Sequence, residues 1–232
     1  MDFTFGIITN RNIKDLIETI ESIEKQNIPN YEIIIVGGEL GDYYHPKVKH
    51  IPFNESIKES WITKKKNLIT KNSKLENIVF LHDYIVLCEG WYEGHLKSGN
   101  EFDVMMDIIL NSDGTRFRDW CLWPDNNIED NKSTESIIRE YALIPYNITN
   151  LNKFQYISGS YWVIKKSIME EYPLDEDLSW GESEDVEWSK RIRLKYKFSM
   201  NTYSKVKFKK QKQIIFKHSN DDIIKKLEEL LL

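Results

Sequence analysis

Phe3 to Gly38 reads FTFGIITNRNIKDLIETIESIEKQNIPNYEIIIVGG, and its pieces follow different periods. Phe3 to Thr9 is a short apolar run that stops at Asn10-Arg11-Asn12. Ile13, Leu16, Ile17, Ile20 and Ile23 then recur at helical spacing until Asn27-Ile28-Pro29 ends the pattern, because proline cannot continue a helix. Tyr31 to Val36 is an almost unbroken apolar run, which fits a strand buried on both faces, and Gly37-Gly38 closes it. Strand, helix, strand in that order predicts a parallel pair with a right-handed crossover. Ligands of such units gather outside the carboxyl ends of the strands, here Thr9-Asn10-Arg11 and Gly37-Gly38-Glu39.

The pattern continues outward. Val48 to Pro52 fits a short strand, and Ser56 to Thr70 fits a helix with Ile57, Trp61, Leu68 and Ile69 apolar and Lys64, Lys65 and Lys66 between them. Asn77 to Leu87, NIVFLHDYIVL, is a strongly apolar strand interrupted by His82-Asp83-Tyr84. A polar triplet there either ends the strand at a turn or carries function. Gly90 to Gly99 reads as a short helix and Phe102 to Leu110 as a strand, and Asp113-Gly114 turns the chain into Arg116 to Leu122 as a hairpin. Trp120 and Trp123 read as core or wall before binding platform, with a polar loop from Pro124 to Asn131 and a helix over Ser133 to Tyr141. Lys205 to Lys209 alternates like a half-buried strand, Gln213 to Lys217 is a further strand delivering His218, and Asn220 to Leu232 closes the chain as an amphipathic helix.

Near the end of this series Trp180 to Arg191 reads WGESEDVEWSKR, with Glu182, Glu184, Asp185 and Glu187 between two tryptophans at the start of a helical pattern running to about Tyr196. The plain reading is a helix N-terminus, where each acid contributes about 0.3–1 kcal/mol through the macrodipole. The other is a sugar site, because a flat aromatic, a permissive glycine and clustered carboxylates suit a polyhydroxylated ligand.

ISGSYWVIKK (Ile157 to Lys166) followed by WGESEDVEWSKR resembles the acceptor-side signature of GT-A-fold glycosyltransferases, and the Trp180-Gly181 and Glu184-Asp185 pairs are similar to a galactosyltransferase-type WGxxED motif. FGIITNRN with EIIIVGG resembles the opening of family 2 members. The resemblance implies an α/β, GT-A fold with a mostly parallel central sheet, helices on both faces and a small antiparallel piece. It implies one domain over 1–232, with 1–88 as the nucleotide-sugar half and 89–232 as the acceptor half with a C-terminal helix. It implies a hexosyltransferase-type, inverting transfer from a nucleoside-diphosphate sugar, a UDP-sugar first, to a glycan or other hydroxyl acceptor. Asp185 falls where inverting members carry the general base, and Glu184 is the second choice. Donor contacts are expected from Thr9, Asn10, Arg11, Glu39, Lys66, His82, Asp83 and Tyr84, and acceptor contacts from Gly159, Ser160, Trp180 and Gly181.

The chain departs from the pattern at two places. Gly37-Gly38 stand where a carboxylate usually meets the base, leaving Glu39 as the substitute. HDY stands where a DxD motif holds a divalent ion on the donor's two phosphates, so only the middle position is an acid. Asp83 and His218 are then the expected metal ligands, and imidazole plus carboxylate suits Mn2+ better than Mg2+. The same erosion motivates a competing reading, a catalytically silent sugar or nucleotide-sugar binding domain. A nucleotidyltransferase would carry a glycine-rich, lysine-containing loop after the first strand, and TNRN is not one.

Composition narrows the setting. At 232 residues and 41% hydrophobic content the chain can bury the core of one ordinary domain. No apolar run reaches the about 18 residues of a spanning helix, and MDFTFGIITN lacks a signal peptide's pattern, so a cytoplasmic setting is expected. Cys88 and Cys121 read as buried free thiols. A formal net charge of -5 argues against nucleic acid as a partner. Ser189 to Lys217 contains lysines and arginines and no acid, which reads as a solvated basic face or as a surface for phosphates or an anionic membrane, in the latter case with peripheral membrane contact.

Overall fold

A computed structural model of the chain describes residues 1–122, 142–149, 154–179, 181–212 and 225. The strands are β1 (Phe3–Ile8), β2 (Tyr31–Val36), β3 (Val48–Ile51), β4 (Asn77–His82), β5 (Ile85–Leu87), β6 (Val104–Leu110), β7 (Cys121–Leu122), β8 (Ala142–Leu143), β9 (Gln155–Tyr156), β10 (Tyr161–Lys165) and β11 (Phe198–Phe208). The helices are α1 (Ile13–Glu24), α2 (Ile62–Asn72), α3 (Trp91–Ser98), α4 (Lys166–Glu171) and α5 (Glu184–Ile192).

Eight strands form the main sheet in the order β3-β2-β1-β4-β10-β6-β11-β5. β1 pairs in parallel with β2 and with β4, Phe3 facing Tyr31 on one side and Asn77 on the other. β10 is antiparallel to both β4 and β6, and β11 runs parallel to β6. The carboxyl ends of β1, β2, β4, β6 and β11 therefore emerge along one edge, beside the amino end of β10. A smaller antiparallel sheet, β8-β7-β9, lies apart from the main one.

Alternation along β1 explains why the sheet is covered on both faces. Gly6 meets α2 so closely that a Cβ there would stand 2.4 Å from Ile69. Phe3 and Phe5 point the other way and pack their rings on Trp91 of α3, at 5.1 and 5.4 Å. Each such buried large side chain contributes about 1.5–3 kcal/mol. On the α3 side Asp107 of β6 is fully buried, yet it accepts from Trp91 Nε1 (2.8 Å), Asn201 Nδ2 (3.0 Å) and the Tyr161 hydroxyl, and its Oδ2 lies 3.0 Å from His95 Nε2. That polar cluster fastens α3 to β6, β10 and β11.

Most expected elements are present, with differences that have local causes. The Asn77 to Leu87 run splits at Asp83-Tyr84, because β5 leaves the centre of the sheet to pair with β11 at its edge. Tyr156 to Lys166 also splits, into β9 and β10, around a turn closed by Tyr161 N–H on Ser158 O (3.1 Å). The second helix starts at Ile62 and not at Ser56: Ser60 is left-handed (φ 50°), while Lys58 and Trp61 donate to backbone carbonyls of 176–178. β11 is longer than the expected 205–209 strand and carries a bulge between Asn201 and Lys205. The turn at Asp113-Gly114 is present, but of the expected hairpin only the Leu110–Arg116 bridge and β7 form, the latter in the small sheet. Trp120 is buried in the core, its Nε1 on Ile148 O at 2.7 Å, and both cysteines are free, Cys121 buried as expected and Cys88 only half-buried.

The basic run does not form one face. Arg191 pairs with Glu187, Lys195 with Glu171, and Arg193 is buried, while Lys210 and Lys212 turn into a cavity. Among the described residues no helix is long and apolar enough to cross a membrane. Trp123, the 124–131 loop, the 133–141 helix, Trp180, the 213–217 strand, His218 and the expected 220–232 helix lie outside the described residues, apart from Lys225.

Candidate functional site

Two adjoining cavities lie along the carboxyl edge of the main sheet and share Ile62, His82 and Tyr84 as a common wall. The smaller, about 140 Å³, is bounded by Thr9, Asn10, Arg11, Lys65 and Asp83. The larger, about 510 Å³, is bounded by Gly159, Ser160, Glu184, Asp185, Lys210 and Lys212, among others.

The floor of the smaller cavity is built where β1 and β4 end side by side. Asp83 is 5% exposed, and its Oδ2 accepts from Thr9 Oγ1 at 2.7 Å and faces Arg11 Nε at 3.6 Å. The Thr19 hydroxyl of α1 donates to Asp83 O at 3.1 Å, which holds the turn onto the first helix. Lys65 donates to Thr9 O at 2.8 Å and pairs with Glu55. At the end of β2, Gly37 and Gly38 are left-handed, and a Cβ on them would stand 2.3 Å from Thr9 O and 2.2 Å from Arg11 O. Only glycine lets the two strand ends pack there.

The larger cavity is closed by the first turn of α5. Asp185 Oδ2 accepts the Gly159 N–H at 2.8 Å and Oδ1 accepts the Val186 N–H at 2.9 Å. Ser189 ties the same helix down, donating to Asp185 O (2.6 Å) and accepting from Ile157 N–H (3.0 Å). Lys66, 1% exposed, sits beneath: it donates to Gly159 O (2.9 Å), lies 3.4 Å from Glu184 Oε1 and stands 4.2 Å over the Trp162 ring. Both backbone polar groups of Gly159 are thus engaged by this acid–cation set, and a Cβ at 159 would stand 2.8 Å from Asp185 Oδ2.

Burial sets the charges. It pushes the Asp185 carboxyl above the usual carboxylate range, Glu184 adds to the rise, and Arg118, the Gly159 N–H and Lys66 oppose it. Lys66 is pulled down by burial against the pull of Glu184 and Asp185. His82 is driven well below an ordinary histidine by burial and by the Lys66 and Lys212 charges, so it is neutral near pH 7. Tyr84 is pushed up to about 12, mainly by burial.

No protein-family profile matches this sequence, and no curated protein does so. Solved structures match by shape. S. aureus TarS 1-349 aligns with a TM-score of 0.59 at 13% identity, over 88% of this chain and 60% of that one. TarS 1-349 in complex with UDP aligns at 0.57 and 12%, over 89% and 60%. GalNAc-T7 with UDP, GalNAc and Mn2+ aligns at 0.62 and 13%, over 94% and 45%. Both proteins are GT-A glycosyltransferases.

The fold is GT-A.

This chain spans 60% of the TarS piece and 45% of the GalNAc-T7 chain. In the GT-A frame the residues singled out in the sequence divide as follows. Thr9, Asn10, Arg11, His82, Asp83 and Tyr84 meet at the smaller cavity, and Gly159, Ser160, Gly181, Glu184 and Asp185 meet at the larger. Lys66 is enclosed against Glu184 and lines neither cavity, whereas its neighbour Lys65 lines the smaller. Glu39 is exposed and lines neither; its backbone bridges to Asn12 ahead of α1. Trp180 and His218 lie outside the described residues. Lys210, Lys212 and Arg118 line the larger cavity although no motif pointed to them. The signal available was the acid-free basic run, read as a surface.

Metal ligation was expected at Asp83 with His218. Among the described residues no three His, Cys, Asp or Glu side chains come together as a set that could hold an ion. Asp83 has one oxygen committed to Thr9 and Arg11, and neighbouring His82 faces the Lys66 and Lys212 charges. A divalent ion needs more oxygen or nitrogen donors than this. The described residues by themselves do not fit one.

Proposed function

We propose that this protein transfers a sugar from a nucleoside-diphosphate donor to an acceptor hydroxyl, inverting the anomeric carbon. The observation that carries the reading is Asp185: a carboxylate pinned by Gly159 at the wall of a 510 Å³ cavity, next to the cavity formed by Asp83 and the Thr9–Arg11 strand end. In open α/β sheets this edge is where ligands bind. UDP in solved structures of the same fold supports uridine as the first nucleotide to test.

In this reading the nucleoside diphosphate lies along Thr9, Asn10, Arg11 and the Asp83–Tyr84 turn, and a hydroxyl of a glycan or other acceptor lies against Gly159, Ser160 and Asp185. The acceptor oxygen forms a bond to the anomeric carbon as its proton passes to the Asp185 carboxylate. The bond from that carbon to the diphosphate oxygen breaks, and its electron pair leaves with the diphosphate. A positioned base contributes about 10²–10⁴-fold, and a carboxyl whose pKa is raised accepts a proton more readily. Trp180 and Gly181 complete the acceptor wall in this proposal.

The test is turnover of UDP-sugars with simple glycan acceptors, the product's anomeric configuration being read by NMR coupling constants. Retention would exclude Asp185 as the base of a direct displacement. A silent binding domain is favoured by one observation, the commitment of Asp83, the single acid of the His82-Asp83-Tyr84 triplet, to Thr9 and Arg11. Donor binding without turnover across donors and metals would establish that second reading.

A further inference from the structure

β11 runs parallel to β6, so the segment that follows it is carried to the same edge as the Asp83 turn. There Lys212 folds inward. Its backbone N–H donates to Asn111 Oδ1 (3.0 Å), and its Nζ donates to the Tyr84 hydroxyl (2.8 Å) and lies 3.3 Å from Ser160 Oγ. The ammonium itself lies against aromatic rings, with Nζ 4.4 Å from the centre of Tyr84 and 4.5 Å from that of Phe208. Lys210 stands 4.5 Å over Tyr84, and Arg118 lines the same wall. None of the ion pairs among the described residues uses Lys210 or Lys212.

Enclosing a lysine costs free energy that a carboxylate usually offsets. Here Lys212 and Lys210 meet hydroxyls and ring faces at a cavity wall, next to a place where the expected metal ligands are thin. We propose that Lys212 and Lys210, with Arg118, form an anion cradle that binds the diphosphate of the donor directly, with no metal ion needed as a bridge. Ser160 and Tyr84, the latter lining both cavities, hold Lys212 in place on the wall of the larger. The inference rests on the glycosyltransferase reading for the identity of the diphosphate's owner.

The cradle has a proton signature. Burial, with the Arg118 and Lys210 charges, pulls Lys212 down to about 7. The titratable and charged groups facing it are Tyr84 from the β4–β5 turn, Arg118 ahead of β7, Lys210 on its own segment, and His82, Glu184 and Asp185 around the cavity. A bound diphosphate favours the charged lysine, so binding at pH 8 takes up a proton and weakens as pH rises above about 7.

The experiment is calorimetry at pH 8 with inorganic pyrophosphate, UDP and uridine, in EDTA and in Mn2+, in two buffers of different ionisation enthalpy. Pyrophosphate and UDP are expected to bind in EDTA with proton uptake. Lys212→Met is expected to weaken both by about tenfold or more, abolish the uptake and leave uridine unchanged. Lys210→Ala, at an exposed position, is expected to weaken both by a smaller factor and steepen no other binding. Thermal melting checks that Lys212→Met is folded, and the wild-type EDTA and buffer-pair arms stand without any variant. Binding of pyrophosphate and UDP only with Mn2+, or unchanged in Lys212→Met, overturns the cradle while leaving the transferase reading intact. Pyrophosphate binding that depends on Lys212, with no nucleoside diphosphate bound under any condition, upholds the cradle and overturns the transferase reading.

Discussion

The backbone N–H of Gly159 points at Asp185 Oδ2 from 2.8 Å, and a methyl group on residue 159 would occupy the space that this carboxylate fills. A glycine between two strands thereby sets where an acid at the start of a helix can stand. Gly159→Ala is expected to displace both Asp185 and Glu184, whose Oε1 would be 3.1 Å from the new Cβ. Overpacking of this kind costs about 1–3 kcal/mol, and a misplacement near 1 Å costs about 10²-fold in rate. Melting curves and single-turnover assays of the variant measure the two separately.

Asp185→Asn keeps the shape and can accept one of the two backbone N–H groups that the carboxylate accepts, but it cannot take a proton. Turnover is expected to fall by about 10² or more with donor affinity nearly unchanged. Glu184→Gln is the paired measurement. If Glu184→Gln is the inactive variant and Asp185→Asn nearly active, the motif stands and the neighbouring carboxylate is the base. If neither alters transfer and both lower the melting point, the acids serve only the helix.

Lys66 lowers the Asp185 pKa and pairs with Glu184 from beneath. Lys66→Met removes that cation, so the Asp185 pKa, already raised, is expected to rise further. The acid limb of the pH–rate profile should move to higher pH, because the base must be ionised to act. A role in donor contact alone would instead raise KM and leave the limb in place.

His82 gives the fold an acid sensitivity whose sign is determined by its depressed pKa. Between that depressed value and the ordinary 6.5 the unfolded chain binds a proton that the folded chain does not, so stability is present above 6.5 and is lost as pH falls through this window. The loss is at most about 1.4 kcal/mol per pH unit from this one group. Thermal melting from pH 7 to 5 should show a decline that is shallower in His82→Gln.

Local periodicity was enough for the first half of the fold. The apolar run of β2, the helical spacing of Ile13 to Ile23 and the turn residues at Thr9–Asn12 and Gly37–Gly38 are all encoded within a few positions, so their type and order could be read directly. The acids at Glu184 and Asp185 were legible for the same reason, standing together at a helix start. What periodicity cannot carry is which distant segments meet. Lys66 was expected to face the donor, and its burial instead depends on Gly159 and Glu184, over ninety positions away in the chain. The basic run after Ser189 looked uniform, yet pairing with Glu187 and Glu171 neutralises its early members at the surface, while the parallel register of β11 against β6 carries Lys212 into the cavity. A lysine's charge and stem are the same in both places; the surface or the cavity wall is chosen by strand register and long-range contacts, which no window of neighbouring residues contains.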